Sequence, residues 1–233
     1  YSERPKYAII GEPSLLQPIV GHKGIAVFET TVIGSAGHSS RIKQEVSAIH
    51  EAARLILWLE NKMDALIEAG HIDNRFQPNH TSLHLGILQG GIAPNLIADR
   101  CSFHWDVRTI PQDSIAEILA DFEVHCRQRE QILQKRFADF RIQTIAHHPP
   151  VPPLDTPENL SVVTLIRELT GIEELQTVAY AAEAGQFSEG GFETVICGSG
   201  SIAQAHRANE FISCEQLEKG RGFIKRLVEK MSV

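Results

Sequence analysis

The sequence predicts an α/β fold in which a β-α-β-β-α-β sandwich is inserted into an outer α/β domain. Three observations predict it. Strand-like and helix-like periodicities follow one another in that order between Gly24 and Ala146. A proline-rich connector, His148-Pro149-Pro150-Val151-Pro152-Pro153, closes the stretch. The α/β rhythm that opens the chain then resumes. On this pattern the outer domain is residues 1–21 and 152–233, and the insertion is residues 22–151.

The elements follow in order. Ala8-Ile9-Ile10 is a short apolar run that Gly11-Glu12-Pro13-Ser14 ends, so it reads as a buried strand with a turn behind it. Ile25 to Ile33 is rich in β-branched residues and reads as a strand. Val46, Ile49, Ala53, Ile56, Leu59, Met63 and Leu66 recur at spacings of three and four, a helix that Gly70 stops. Thr81 to Leu88 reads as a strand broken by Gly90-Gly91, and Leu96 to Ile110 holds another. Asp113 is expected to cap a second helix that buries Ile115, Leu119, Phe122 and Cys126. Phe140 to Ile145 is the last strand of the insertion. Beyond the connector, Thr156 is expected as a helix N-cap with Pro157 in the first turn. Thr177 to Ala181 and Thr194 to Cys197 read as strands. Ser213 and Gln216 form a capping box before a helix that turns Leu217, Ile224, Leu227 and Met231 inward.

Composition narrows the function classes. Of 233 residues, 42% are hydrophobic and 22% charged, the mix of a globular protein. With 22 Lys and Arg against 29 Asp and Glu, the net charge of −7 disfavours a nucleic-acid partner. No apolar run approaches the roughly 18 residues of a membrane helix, so no membrane partner is expected. Cys101, Cys126, Cys197 and Cys214 have no C-x-x-C spacing, which fits a reducing, cytoplasmic compartment rather than a disulfide scaffold or zinc ribbon. No leader segment is read at the start. The chain opens at Tyr1 with a strand close behind and nothing before it to pair with, so it is expected to be part of a longer protein.

A few residues stand where chemistry is usually placed. Glu12 lies at a strand's carboxyl end, where open α/β sheets hold ligands. His206 lies in the polar, glycine-broken loop that follows the strand ending at Cys197, and neutral imidazole is a common zinc ligand. Each has a bland alternative, a turn acid and a surface histidine. His38 sits among small residues, Gly34-Ser35-Ala36-Gly37-His38-Ser39-Ser40, and could donate to a developing oxyanion. Arg108 offers the fork that suits a carboxylate, with an ion pair to Asp106 or Asp99 as the plain alternative. Asn95 is a turn residue or an amide donor. The other histidines, among them His84 and His104 in strands, read as ordinary core-edge or solvated side chains. His71-Ile72-Asp73 and Glu173-Glu174 mimic metal motifs but follow helix-stop glycines and read as loops.

Together, Gly11-Glu12-Pro13-Ser14, His22-Lys23-Gly24, Gly37-His38-Ser39-Ser40, Gly90-Gly91 with Asn95, Asp106-Val107-Arg108 and Gly198-Ser199-Gly200 leading to His206 resemble the di-zinc amidohydrolase and aminoacylase family. The resemblance spans the chain. Tyr180-Ala181-Ala182-Glu183-Ala184 and Gln204-Ala205-His206 look most like its acetylornithine deacetylase branch. It implies that the outer part is the carboxyl-terminal portion of a zinc-hydrolase α/β domain and that the insertion is a lid and homodimerisation domain. Glu12 and His206 would each ligate one of two zinc ions, with cobalt an alternative metal. His38 would reach across the dimer to the oxyanion. Asn95 and Arg108 would hold the substrate, and Glu183 and Gly185 would line its pocket. The implied reaction is zinc-dependent hydrolysis of N-acetylornithine to ornithine and acetate, a step of arginine biosynthesis.

One departure is large. The family's His-x-Asp ligand, bridging Asp and Glu-Glu pair lie upstream of the Gly-Glu-Pro segment, and nothing here corresponds to them. The chain alone is therefore expected to bind zinc weakly and to be inactive, whatever its parent does. The alternatives are a parent acting on another N-acyl amino acid, such as N-succinyl-diaminopimelate, or a non-catalytic dimerisation protein. An RNA-binding module, which shares the element order of the insertion, is disfavoured by the charge.

Overall fold

The structure, a computed structural model, describes residues 6–232. It divides into two compact units. One holds the residues through Gly24, residues 74–77 and those from Val151 on; the other holds residues 25–73 and 78–150. The strap 74–77, which belongs to the outer unit, is the feature the sequence boundaries of 21 and 152 do not contain.

The outer unit opens with β1 (Tyr7–Pro13) and β2 (Ile19–His22). The inserted unit follows with β3 (Gly24–Ile33), the short β4 (Gly37–His38) and α1 (Ala48–Glu68). Then come β5 (Ser82–Gly90), the short β6 (Leu96–Ile97) and β7 (Arg100–Thr109). The helix α2 (Ile115–Leu133) and β8 (Arg141–Ala146) complete it. The order β3-α1-β5-β7-α2-β8 is the expected one. The strands lie side by side as β5-β7-β3-β8, so both crossovers run over the same face of the sheet.

Strict alternation explains why only one face is covered. In β3 and β7 every second residue is buried, among them Phe28, Val32, Phe103, Trp105 and Val107. These meet Leu55, Leu59, Ile118 and Phe122 of the two helices in one continuous core. Trp105 lies 4.5 Å from Phe28 and 5.2 Å from Phe122, centroid to centroid. Its indole N–H donates to Thr30 Oγ1 at 3.0 Å, so the buried polar edge is satisfied. The helices are clamped by Glu51, buried on α1. Arg129 of α2 grips its carboxylate at 2.9 and 3.1 Å, and Arg54 adds a contact at 3.1 Å.

Two cap expectations need correction. Ser114, not Asp113, caps α2, accepting from Glu117 N–H. Asp113 is buried and accepts from Thr81 Oγ1 and His71 instead, because its carboxylate ties the start of β5 to the preceding loop. Ser47 caps α1, and Gly70, at φ +83°, turns the chain out of it as expected.

The outer unit resumes with β9 (Leu154–Asp155), α3 (Ser161–Thr170), β10 (Gln176–Val178), α4 (Ala184–Glu189), β11 (Glu193–Gly198) and α5 (Cys214–Met231). Its sheet runs β1-β11-β2-β10, with β9 paired to β2. Here Thr156 is not an N-cap. It is buried and its hydroxyl donates to Thr194 O, and α3 starts at Ser161 after Leu160. Apolar side chains cover both faces of this sheet, as the near-continuous burial of β11 requires.

The last helix departs furthest from expectation. Ser213 does cap α5, accepting from Gln216 N–H. The Gln216 side chain, though, accepts from Gly200 N–H at 3.2 Å rather than closing the box. Only Phe223 is buried on this helix; Leu217, Ile224 and Met231 are each about half exposed. Leu227 alone of the expected stripe packs against the core.

Candidate functional site

In the outer unit the two expected ligand positions follow neighbouring parallel strands. β1 and β11 pair from Tyr7↔Glu193 to Ile10↔Ile196; the register then slips and Pro13 meets Gly198. Glu12 sits in that slip, half-buried. Position 198 requires glycine: a Cβ there would lie 2.3 Å from Gly11 O and 2.4 Å from Glu12 O. The loop after β11 is stitched back to the same edge. Leu15 N–H donates to Gly200 O at 2.7 Å, and Ser14 and Ser201 form a bridge.

His206, further along this loop, is exposed, and its N–H donates to the Glu210 carboxylate at 3.2 Å. It adopts φ +61°, and Asn209 adopts φ +59°. Left-handed backbone at a non-glycine residue costs about 1–2 kcal/mol, and such residues gather at functional loops. Glu12 thus lies near the carboxyl end of β1, and His206 lies in the loop that follows the neighbouring β11.

Tyr180 adds a polar group that the sequence marked only as part of a motif. Its hydroxyl is buried without a hydrogen-bond partner among the described residues. Burial, reinforced by the Glu12 carboxylate, pushes its pKa up, so the phenol keeps its proton. An orphaned donor beside a carboxylate suits a polar ligand. The donors do not amount to a zinc site by themselves. Zinc in a catalytic site takes three protein ligands, and among the described residues no third His, Cys, Asp or Glu converges with Glu12 and His206.

Of the two expected pocket residues, Glu183 is exposed at the start of α4. Gly185 is buried, and a Cβ there would come within 2.0 Å of Pro152 O. Its N–H is spent on His22 Nε2 at 3.1 Å. His22 is itself buried, with Nδ1 donating to Lys23 O at 2.9 Å, which fixes the tautomer. Burial lowers its pKa, so it is held neutral. The strand-end histidine of His22-Lys23-Gly24 therefore positions α4, a role its spacing did not reveal.

In the inserted unit, β4 and β6 bring two expected residues together. His38 pairs with Leu96, and Ser39 N–H donates to Asn95 O at 2.9 Å. Both side chains are exposed, and His38 Nδ1 lies 2.9 Å from Ser40 Oγ. Beside them is an open groove lined by Gly37, Gly90, Gly91, Leu96 and Ala98. Arg108 is not part of this cluster. It stands eight residues along β7 from Arg100, roughly 26 Å away at the usual strand rise. Its neighbour is the expected Asp106, at 3.5 Å.

The two decoy motifs are accounted for locally. His71 pairs with Asp113 rather than Asp73, whose N–H donates to Asn79 O. Glu173 meets Arg167 at 3.5 Å on the surface. Burial pushes the Cys126 and Cys197 thiols up to about 12, so neither is a nucleophile at neutral pH. No helix among the described residues is long and apolar enough to cross a membrane.

Residues 20–132 match the peptidase dimerisation domain family. The chain is 32% identical over 229 residues to acetylornithine deacetylase of Aliivibrio salmonicida, covering 98% of this chain and 58% of that protein. Among solved structures it resembles aminopeptidase PepT from Bacillus cereus, with a TM-score of 0.73 at 17% identity over 100% of this chain and 58% of that one. It also resembles an M20 family metallo-carboxypeptidase from Sulfolobus solfataricus, with a TM-score of 0.62 at 16% identity over 95% of this chain and 61% of that one. The chain thus spans little more than half the length of the curated relatives it matches.

Proposed function

We propose that the chain is the dimerising and substrate-gripping part of a longer, metal-dependent N-acyl amino acid amidohydrolase of the M20 peptidase family. The substrate we assign is N-acetylornithine, on the likeness to acetylornithine deacetylases along nearly the whole chain. The observation that supports the reading is the pairing of β1 with β11, which puts Glu12 near the end of one strand and the loop bearing His206 after its neighbour, with the orphaned Tyr180 hydroxyl raised in pKa by the Glu12 carboxylate. In the parent, Glu12 and His206 supply one ligand each to a pair of zinc ions, which polarise the amide when bound. The remaining ligands and the general base come from the parent's other part.

The residues of this chain then have separate tasks. Arg108 pairs with the substrate carboxylate in place of Asp106. Glu183 stands at the pocket rim. His38 and Asn95 act together, because the β4–β6 pairing fixes them as one cluster. Arg108 lies roughly 26 Å along β7 from Arg100, which lines the groove beside that cluster, and this separation suits a homodimer in which the His38 cluster serves the partner's site.

The test is steady-state kinetics of the parent on acetyl- and succinyl-amino acids, with sedimentation to fix its oligomeric state. N-acetylornithine is expected to have the highest kcat/KM, with a dimer as the active species. His38→Ala should lower kcat about 10²–10³-fold, and Arg108→Ala should act mainly through KM. Better turnover of a succinyl substrate would reassign the substrate. No turnover of any acyl amino acid would leave a non-catalytic dimerisation protein.

A further inference from the structure

The inserted sheet carries a second group of metal-ligating side chains, none of them among the residues assigned above. Glu29 lies on β3, His104 on β7 and His147 just past the end of β8. These strands are consecutive in the sheet, in the order β7-β3-β8. Glu29 and His104 occupy positions that alternate with buried ones, and Ile145, two residues before His147, pairs with Glu29, so the three share the face opposite the helices. Their ligand atoms lie within 4.8 Å of one another. We propose that Glu29, His104 and His147 form a zinc-class divalent cation site on the open face of the inserted sheet.

The geometry is that of a preformed half-shell. His104 Nδ1 lies 3.1 Å from His147 Nε2. With Zn–N bonds of 2.0–2.1 Å at a tetrahedral angle, two ligand nitrogens sit about 3.3 Å apart. The two rings are therefore already at nearly the spacing a zinc ion requires. A hydrogen bond between two ring nitrogens needs one of them as acceptor, so a lone pair already points into the gap. A metal ion takes the place of the shared proton, which moves to the other ring nitrogen of the donor histidine by exchange with solvent, so both imidazoles stay neutral and each turns a lone pair to the ion. Glu29 is half-buried on the strand between the two histidines and closes the triangle with a carboxylate oxygen.

The backbone under the site is fixed. His147 N–H donates to Val27 O at 2.9 Å, which extends the β3–β8 ladder to the ligand itself. Ile145 sits opposite Glu29 and Ile87 opposite His104, so the ligands are flanked by apolar side chains. Two imidazoles and one carboxylate select zinc, cobalt or nickel over magnesium or calcium, which prefer all-oxygen shells. Three protein ligands leave a fourth position open to water or to a ligand group from a binding partner. A bound ion would also tie β8, an edge strand, to β7 across β3.

The experiment uses the full chain loaded with zinc alone and then passed through metal-free buffer. Elemental analysis should return about one zinc per chain. It should return the same for Glu12→Gln combined with His206→Gln, and close to none for His104→Gln combined with His147→Gln. Histidine-ring NMR of the unsubstituted chain should show the His104 and His147 signals moving on zinc addition, which holds even if the double variant folds poorly. Zinc retained by the His104/His147 variant, shifts confined to other histidines, or no bound zinc would each overturn the proposal. Loss of zinc only in the Glu12/His206 variant would also overturn it, while favouring the sheet-edge site.

Discussion

The inserted unit and the outer unit obey the same packing rules with different results. In the insertion, the two helices cover one sheet face completely, and Trp105, Phe103, Phe122 and Leu55 are all essentially inaccessible. In the outer unit, α3 is buried along one side, but α5 buries only Phe223 and packs Leu227 partly against the core. Leu217, Ile224, Val228 and Met231 remain about half exposed on it. The insertion is built as a self-sufficient domain. The outer unit leaves apolar surface on α5, and neither Glu12 nor His206 belongs to a group of three potential ligands among the described residues. Both agree with the proposal that the rest of a longer parent packs against this unit.

The comparison can be broken or sharpened by substitution. Trp105→Ala should cost about 3–5 kcal/mol, because it opens a cavity and strips the hydrogen bond from Thr30. Denaturant unfolding followed separately in each unit should show the loss in the insertion, with the outer transition kept. One shared transition for both would mean that the insertion is not self-sufficient. Gly185→Ala should cost the outer unit about 1–3 kcal/mol, because its Cβ collides with the Pro152 carbonyl. An unchanged melting temperature would show that α4 can shift without penalty.

Acid should also act on the outer unit through His22. Burial lowers its folded pKa below the unfolded value near 6.5, so the unfolded state binds the proton more readily. The stability it contributes is present above pH 6.5 and is lost as pH falls, by at most about 1.4 kcal/mol per pH unit. His22→Gln should flatten the melting temperature between pH 6.5 and 5. Equal slopes in both proteins would remove His22 from this role. The smallest effect is expected at α5. Ile224→Ser should change stability by no more than about 0.5 kcal/mol, since that side chain is already exposed. A loss of several kcal/mol would mean that α5 packs within the chain after all.

Much of this was legible in the sequence where periodicity and packing agree. Alternation in β3 and β7 and the three-four spacing of α1 set the inserted fold, because the same residues that mark the pattern fill the core. Caps were harder. Asp113 and Thr156 look like N-caps, but both are buried tertiary anchors, reaching Thr81 and Thr194. The α5 stripe failed for a related reason: amphipathicity shows which face wants burial, not whether a partner is present to bury it. At the candidate site, Glu12 and His206 could be picked out by their places after strands. Tyr180 and the pairing of Asn95 with His38 needed the fold. Glu29, His104 and His147 were invisible, since no spacing signal links residues on three separate strands.

The most direct test of the central claim is zinc-dependent hydrolysis of N-acetylornithine by this purified chain alone. No turnover above the protein-free control is expected, because in the proposed reading Glu12 and His206 supply only part of a ligand set and no general base. Turnover that requires zinc and disappears in Glu12→Gln would contradict it, and would show that the chain contains a complete site.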